Sequence, residues 1–215
     1  MFWVAGAVAT AVLAGACVPE VAVPVDRSVA SPFQCQGITG DNASSLGDSR
    51  ATAVLFATLS PGSSSVLAFP DARITPDVPA STTSTAGPLP IRFDIDWGAL
   101  PTDSPLVKPL RELLRKATLE VRQGSFSVAA TGAASETATA PAEQATYDLS
   151  LPIVLRHQTA TALLRPTGVG TVIYSLRPIR MTIPVDASVA GVTFNTLTFD
   201  CTAAPTLPTT LVTPS

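Results

Sequence analysis

Apolar and polar residues alternate most regularly over 89–97. Leu89, Ile91, Phe93, Ile95 and Trp97 hold one parity, and Pro90, Arg92, Asp94 and Asp96 hold the other. A period of two describes a strand with one buried and one wet face, and Pro90 places it at a strand start or a sheet edge. The same period returns at Leu119 and Val121, then shifts phase across Gly124 to Phe126 and Val128, the signature of a bulge or turn. It continues from Tyr147 to Leu155, over 159–164 and 169–176, through Ile179 to Val185, and over 192–200 up to Cys201. The apolar run 51–59 reads as a buried strand, and the turn Ser60-Pro61-Gly62 leads to another at 64–69. Stretches 36–50, 76–88 and 131–145 are Gly-, Ser-, Thr- or Pro-rich and read as loops.

One segment breaks the pattern. In 104–117, Ser104 suits a helix cap and Pro105 a first turn. Leu106, Leu110, Leu113, Leu114 and Ala117 then fall on one face at helical spacing, with Lys108, Arg111, Arg115 and Lys116 mostly opposite. The basic face suits an anionic surface, and the Leu face suits a cap over an open end of the sheets; its shortness and lack of an aromatic anchor favour the cap. Eight to ten strands without βαβ alternation predict an all-β fold: an antiparallel β-sandwich, Ig-like or a partly open barrel, with this single amphipathic helix.

Composition narrows the classes of function. The 215 residues suit one such domain, only 13% are charged, and the net charge is −3 with a pI near 5.0. No basic field attracts phosphates, so nucleic acid is not an expected partner.

The first sixteen residues change the compartment. Phe2–Ala16 is uncharged and apolar, and Ala14-Gly15-Ala16 is a small-residue cleavage site, so 1–16 reads as a signal peptide. No Lys or Arg precedes the apolar run and Arg27 is the first basic residue, so either the true start lies upstream or the segment is a buried element. Cleavage leaves Cys17 first, a candidate for lipid attachment, although Leu13 sits one place further from it than the usual box requires. Residues 17–31 read as a linker, 32–203 as the folded domain and 204–215 as a disordered Pro/Thr-rich tail. Three cysteines in an exported chain leave one unpaired; with Cys17 at the processing site, Cys35 and Cys201 form the expected disulfide. The alternative is a pair of reduced buried thiols in a cytosolic protein.

Candidate chemistry is thin. There is no nucleophile elbow, phosphate loop or dinucleotide fingerprint. His157 is the single histidine, in a polar turn-like setting, so any Ser-His-Asp arrangement would need it. Asp94 and Asp96 share a strand face about 7 Å apart, which suits a divalent cation, an acid–base pair or simply the solvated side of a strand. No metal spacing and no cofactor motif occurs. Aromatic residues make up 6% of the chain, too few for a stacking platform for sugars.

The bracketing residues Phe33-Gln34-Cys35 and Phe199-Asp200-Cys201-Thr202, with Gly168-Val169-Gly170 before a late strand, resemble secreted actinobacterial β-domains of unknown function that open on aromatic-x-Cys and close on x-Cys-Thr. The resemblance spans about 33–204 and implies an envelope location and a disulfide; the segment 104–117 departs from its mostly-strand pattern. The expected role is a non-catalytic secreted or envelope module whose partner is an envelope component, touching membrane only through a lipid anchor. The alternative is a carrier of an apolar ligand in a cavity under 104–117.

Overall fold

The computed structural model describes residues 28–42, 66–100, 118–189 and 192–215. They form two sheets that pack their apolar faces together. The larger sheet contains β1 (Val29–Ala30), β4 (Arg73–Asp77), β5 (Ser81–Thr83), β6 (Leu89–Asp96), β8 (Phe126–Gly132), β9 (Glu136–Ala140), β11 (Gln158–Leu164), β12 (Gly170–Leu176) and β15 (Thr210–Thr213). Its nine strands run in the order β1-β4-β6-β11-β9-β8-β12-β15-β5. The smaller sheet contains β2 (Phe33–Asn42), β3 (Val66–Phe69), β7 (Thr118–Gln123), β10 (Glu143–Asp148), β13 (Ile179–Val189) and β14 (Val192–Thr202), in the order β10-β7-β13-β14-β2-β3. All pairings are antiparallel except β15 with β5.

The larger sheet has to curl. β4 and β5 lie seven places apart in the strand order, about 34 Å across a flat sheet, yet only Val78–Ala80 joins them. That connection spans at most about 14 Å, so the two ends of the sheet bend toward each other.

The all-β expectation holds, with several corrections inside it. Among the described residues there is no helix, and the amphipathic segment 104–117 lies outside them, as do 1–27 and the strand expected at 51–59. The supposed loop 131–145 contains β9 and the start of β10, because alanine takes the inward positions: Ala138 and Ala140 are fully buried while Thr137 and Thr139 face water. The supposed tail contains β15, with Thr210 and Val212 inward and fully buried. The expected linker and the 76–88 loop likewise supply β1 and β5. The run Tyr147–Leu155 is not one strand; β10 ends at Asp148, and Ile153 reaches the core through an isolated bridge to Leu100.

The phase shift at Gly124 marks a change of sheet. β7 ends at Gln123 in the smaller sheet and β8 begins at Phe126 in the larger one. The Gly124 N–H donates to the Arg180 carbonyl at 2.6 Å, and a Cβ at Gly124 would sit 2.7 Å from that oxygen. No side chain fits there without displacing backbone.

Cys35 on β2 and Cys201 on β14 are direct cross-strand partners and form a disulfide, both fully buried in the shared core. The bond therefore closes 166 residues within the smaller sheet. Beside it Trp97 is fully buried, its ring 4.6 Å from Phe33 and 5.4 Å from Phe69 between centroids.

Candidate functional site

The densest polar cluster sits on the outer face of the larger sheet, where β6 lies between β4 and β11. Strand alternation sends Arg92, Asp94 and Asp96 outward, and the β6–β11 register sets Thr159 opposite Asp94. Arg92 Nε and Nη2 donate to Asp94 Oδ1 at 3.0 and 2.9 Å. Thr159 Oγ1 donates to the same oxygen at 2.5 Å. His157 Nε2 lies 3.2 Å from that oxygen and 3.3 Å from Thr159 Oγ1. Since the threonine proton goes to the carboxylate, the network assigns the histidine proton to Nε2, shared between the two oxygens.

This geometry differs from a nucleophile–base–acid relay. In a relay the imidazole uses one nitrogen for the hydroxyl and the other for the carboxylate; here both oxygens approach Nε2, and the hydroxyl already donates elsewhere. Desolvation pushes the Asp94 carboxyl up, but hydrogen bonds from Arg92, Thr159 and His157, with the Arg92 charge, outweigh it and hold the group below its ordinary value. The carboxylate is thus the stable form and a poor proton donor.

A lowered folded-state pKa contributes stability that is complete above the unfolded aspartate value of about 3.9 and disappears as pH falls through the folded value. Asp94→Asn is therefore expected to lower the urea midpoint at pH 7, with the gap from the parent closing below about pH 4. Urea melts of both proteins across that range check this.

Asp96 faces outward as expected, but its Oδ1 accepts the N–H of Gly98 at 3.1 Å, closing a local turn in which Gly98 has a φ of 64°. The two aspartates share a face yet serve separate partners. Among the described residues no group of three or more His, Cys, Asp or Glu side chains is placed to hold a metal ion. Cys17, the candidate lipid site, lies outside the described residues.

A second polar centre escaped the sequence reading. Gln123 at the end of β7 and Gln158 at the start of β11 are both buried, and they join the sheets. Gln123 Nε2 donates to the Arg156 carbonyl at 3.0 Å and to Gln158 Oε1 at 3.2 Å, while its Oε1 accepts the Arg156 N–H at 3.0 Å. Gln158 Nε2 donates to the carbonyls of Gly124 and Pro141 at 2.9 and 3.0 Å. Each amide group has a partner, so removing one side chain orphans several buried atoms. Gln158→Leu is expected to cost about 2–4 kcal/mol, read as a lower urea midpoint at unchanged slope.

A groove of about 430 Å³ opens where the ends of the larger sheet approach. Val29, Pro76, Val78, Leu207 and Pro208 give it a mainly apolar lining, to which Thr206 and Thr209 add hydroxyls. Neighbouring Thr210 ties this seam together: its Oγ1 donates to the Pro79 carbonyl at 2.6 Å and lies 2.8 Å from the Tyr174 hydroxyl.

No family model, no curated protein and no solved structure matches the chain.

Proposed function

We propose that the chain is a non-catalytic module of the secreted fraction or the cell envelope, with a structural or binding role. The observation that carries this reading is the buried Cys35–Cys201 disulfide at the centre of the smaller sheet, since such bonds persist mainly in oxidising compartments. The state of Asp94 supports the non-catalytic part: the best-equipped carboxylate spends its oxygens on Arg92, Thr159 and His157. Residues 1–16 serve as export signal, the stretch from Cys17 up to β1 at Val29 as linker, and Cys17 as lipid attachment point when cleavage follows Ala16. The resemblance to secreted actinobacterial β-domains agrees with that location. The partner is an envelope component rather than nucleic acid, given the net charge of −3. Among the described residues no helix is long and apolar enough to cross a membrane.

Fractionation of the native host, with intact-mass analysis of the chain, tests this. The expected product lies in the medium or envelope, lacks residues 1–16 and weighs two hydrogens less than its reduced form. A full-length cytoplasmic chain with free thiols would overturn the reading.

The apolar groove favours a second reading, a carrier of an apolar ligand. It places the ligand at the sheet seam; the segment 104–117, under which the sequence set the cavity, lies outside the described residues. Saturable uptake of a fluorescent fatty acid, abolished by Val78→Asp, would support it; non-saturable uptake would remove it.

A further inference from the structure

The outward positions of β11, β9, β8, β12, β15 and β5 carry no charged side chain. They are almost all threonine and serine, interrupted by exposed Leu163, Ile173 and Leu211, each just over half exposed. The rest of the surface is different. On β4 and β6 of the same sheet, Arg73, Asp77, Arg92, Asp94 and Asp96 face outward, and the smaller sheet's outer face holds the Arg122–Glu120 and Arg180–Asp200 pairs. Thr161 and Thr139 stand directly opposite each other at the margin of the neutral face, where Thr161 also pairs with Arg92 of β6, and neither side-chain hydroxyl has a hydrogen bond inside the chain. These two hydroxyls are thus presented to whatever lies against the sheet, whereas those of Thr131, Thr159 and Thr213 already donate to the Ile173 carbonyl, the Asp94 carboxylate and the Thr82 carbonyl.

The make-up of this face selects among occupants. A polyanion or an anionic lipid surface needs cations, and these strands offer none. A second copy of the chain is disfavoured by shape: the sheet curls, so these six strands, about 24 Å across when followed along the curve, present a convex face of which a partner meets only a part, well under the ~800 Å² that each partner of a stable dimer commits. It is also poorer in apolar side chains than a dimer core. A neutral polyhydroxylated polymer fits. Each threonine or serine hydroxyl both donates and accepts, as each sugar hydroxyl does, and no charge has to be desolvated on either side. The aliphatic side chains offer contact to the C–H faces of sugar rings.

We propose, resting on the envelope-module reading above, that this face binds a neutral polysaccharide through many weak hydroxyl contacts. The aromatic residues of the described core, including Trp97, Phe33, Phe69 and Phe93, are buried, so binding proceeds without stacking and depends on repetition along the polymer.

Retention of the full oxidised chain on microcrystalline cellulose, insoluble mannan and starch granules tests this, with heparin–agarose and anionic phospholipid vesicles alongside. The expected result is retention on at least one neutral polymer, unchanged between roughly 0.05 and 1 M salt because no counterions are released. Thr139→Lys and Thr139→Glu should each lower that retention about tenfold by forcing a charge against a neutral partner. Thr146→Lys, exposed on edge strand β10 of the smaller sheet, should leave it unchanged, with melting curves confirming that all three variants fold. Several results would overturn the proposal: no retention on any neutral polymer, retention that falls with salt or appears only on the anionic materials, equal retention by the Thr139 variants, or self-association that accounts for the signal. A secreted, disulfide-bonded chain that fails here would remove the polysaccharide and leave the location intact.

Discussion

Replacing Cys35 and Cys201 together by alanine is expected to destabilise the fold by about 5 kcal/mol and to lower the melting temperature by roughly 10–20 °C. The size follows from the length of the closed loop. The bond bridges 166 residues, and in the chain-entropy model the stabilisation grows with the logarithm of that separation. Two further features raise the effect. Both sulfurs are fully buried, so their removal also leaves a small void in the core. The two residues are direct partners in the β2–β14 ladder, where β2 pairs with its long neighbour through two register shifts; the covalent tie fixes a register that hydrophobic alternation alone specifies loosely. Thermal melts of the oxidised parent and the double variant measure the difference. Mild reductant without denaturant should have little effect on the parent, because neither sulfur reaches the surface.

Deleting residues 204–215 should be about as damaging. A disordered tail could be removed without consequence, but β15 is an internal strand, paired with β12 on one side and β5 on the other. The deletion strips the fully buried Val212 and the nearly buried Leu207 from the core. It also leaves the Tyr174 hydroxyl, the Pro79 carbonyl and the Ala80 carbonyl without their present partners. Two buried aliphatic side chains and three orphaned polar groups together exceed about 5 kcal/mol, and β5 would have no neighbour at all. The truncated chain is expected to be insoluble or to lack a cooperative melt. Val212→Ala is the milder version, with an expected cost of about 2–3 kcal/mol in a protein that still folds, which separates loss of packing from loss of the strand.

These two elements also show what the sequence could and could not convey. β6, β7, β12 and β13 were visible because large aliphatic or aromatic residues mark their inward positions, as Ile91, Phe93 and Ile95 do on β6. β9 was hidden because its inward residues are Ala138 and Ala140, whose small side chains carry little hydrophobic signal although they are fully buried, and β15 because it offers a single inward aliphatic, Val212, beside the polar Thr210. The proline-rich approach to β15 added to the impression of a tail, whereas Pro205 and Pro208 lie in the extended crossing between the sheets. The cysteine pairing was legible by elimination, since it needed only the count and the export signal. The polar clusters were not. His157 reaches Asp94 across 63 residues and Gln123 reaches Gln158 across 35, and each meeting depends on strand neighbours that no local pattern encodes. The neutral outer face is of the same kind, because its threonines come together only when six strands drawn from distant parts of the chain, from β5 to β15, are placed side by side.

Peptide mapping of the purified, unreduced chain after alkylation in denaturant bears most directly on the fold and the compartment together. A single cross-linked peptide joining Cys35 to Cys201, with no alkyl group on either, is the result that the β2–β14 pairing requires. Alkylation of both residues, or a bond from either one to Cys17, would contradict the architecture and remove the main support for a location outside the cytoplasm.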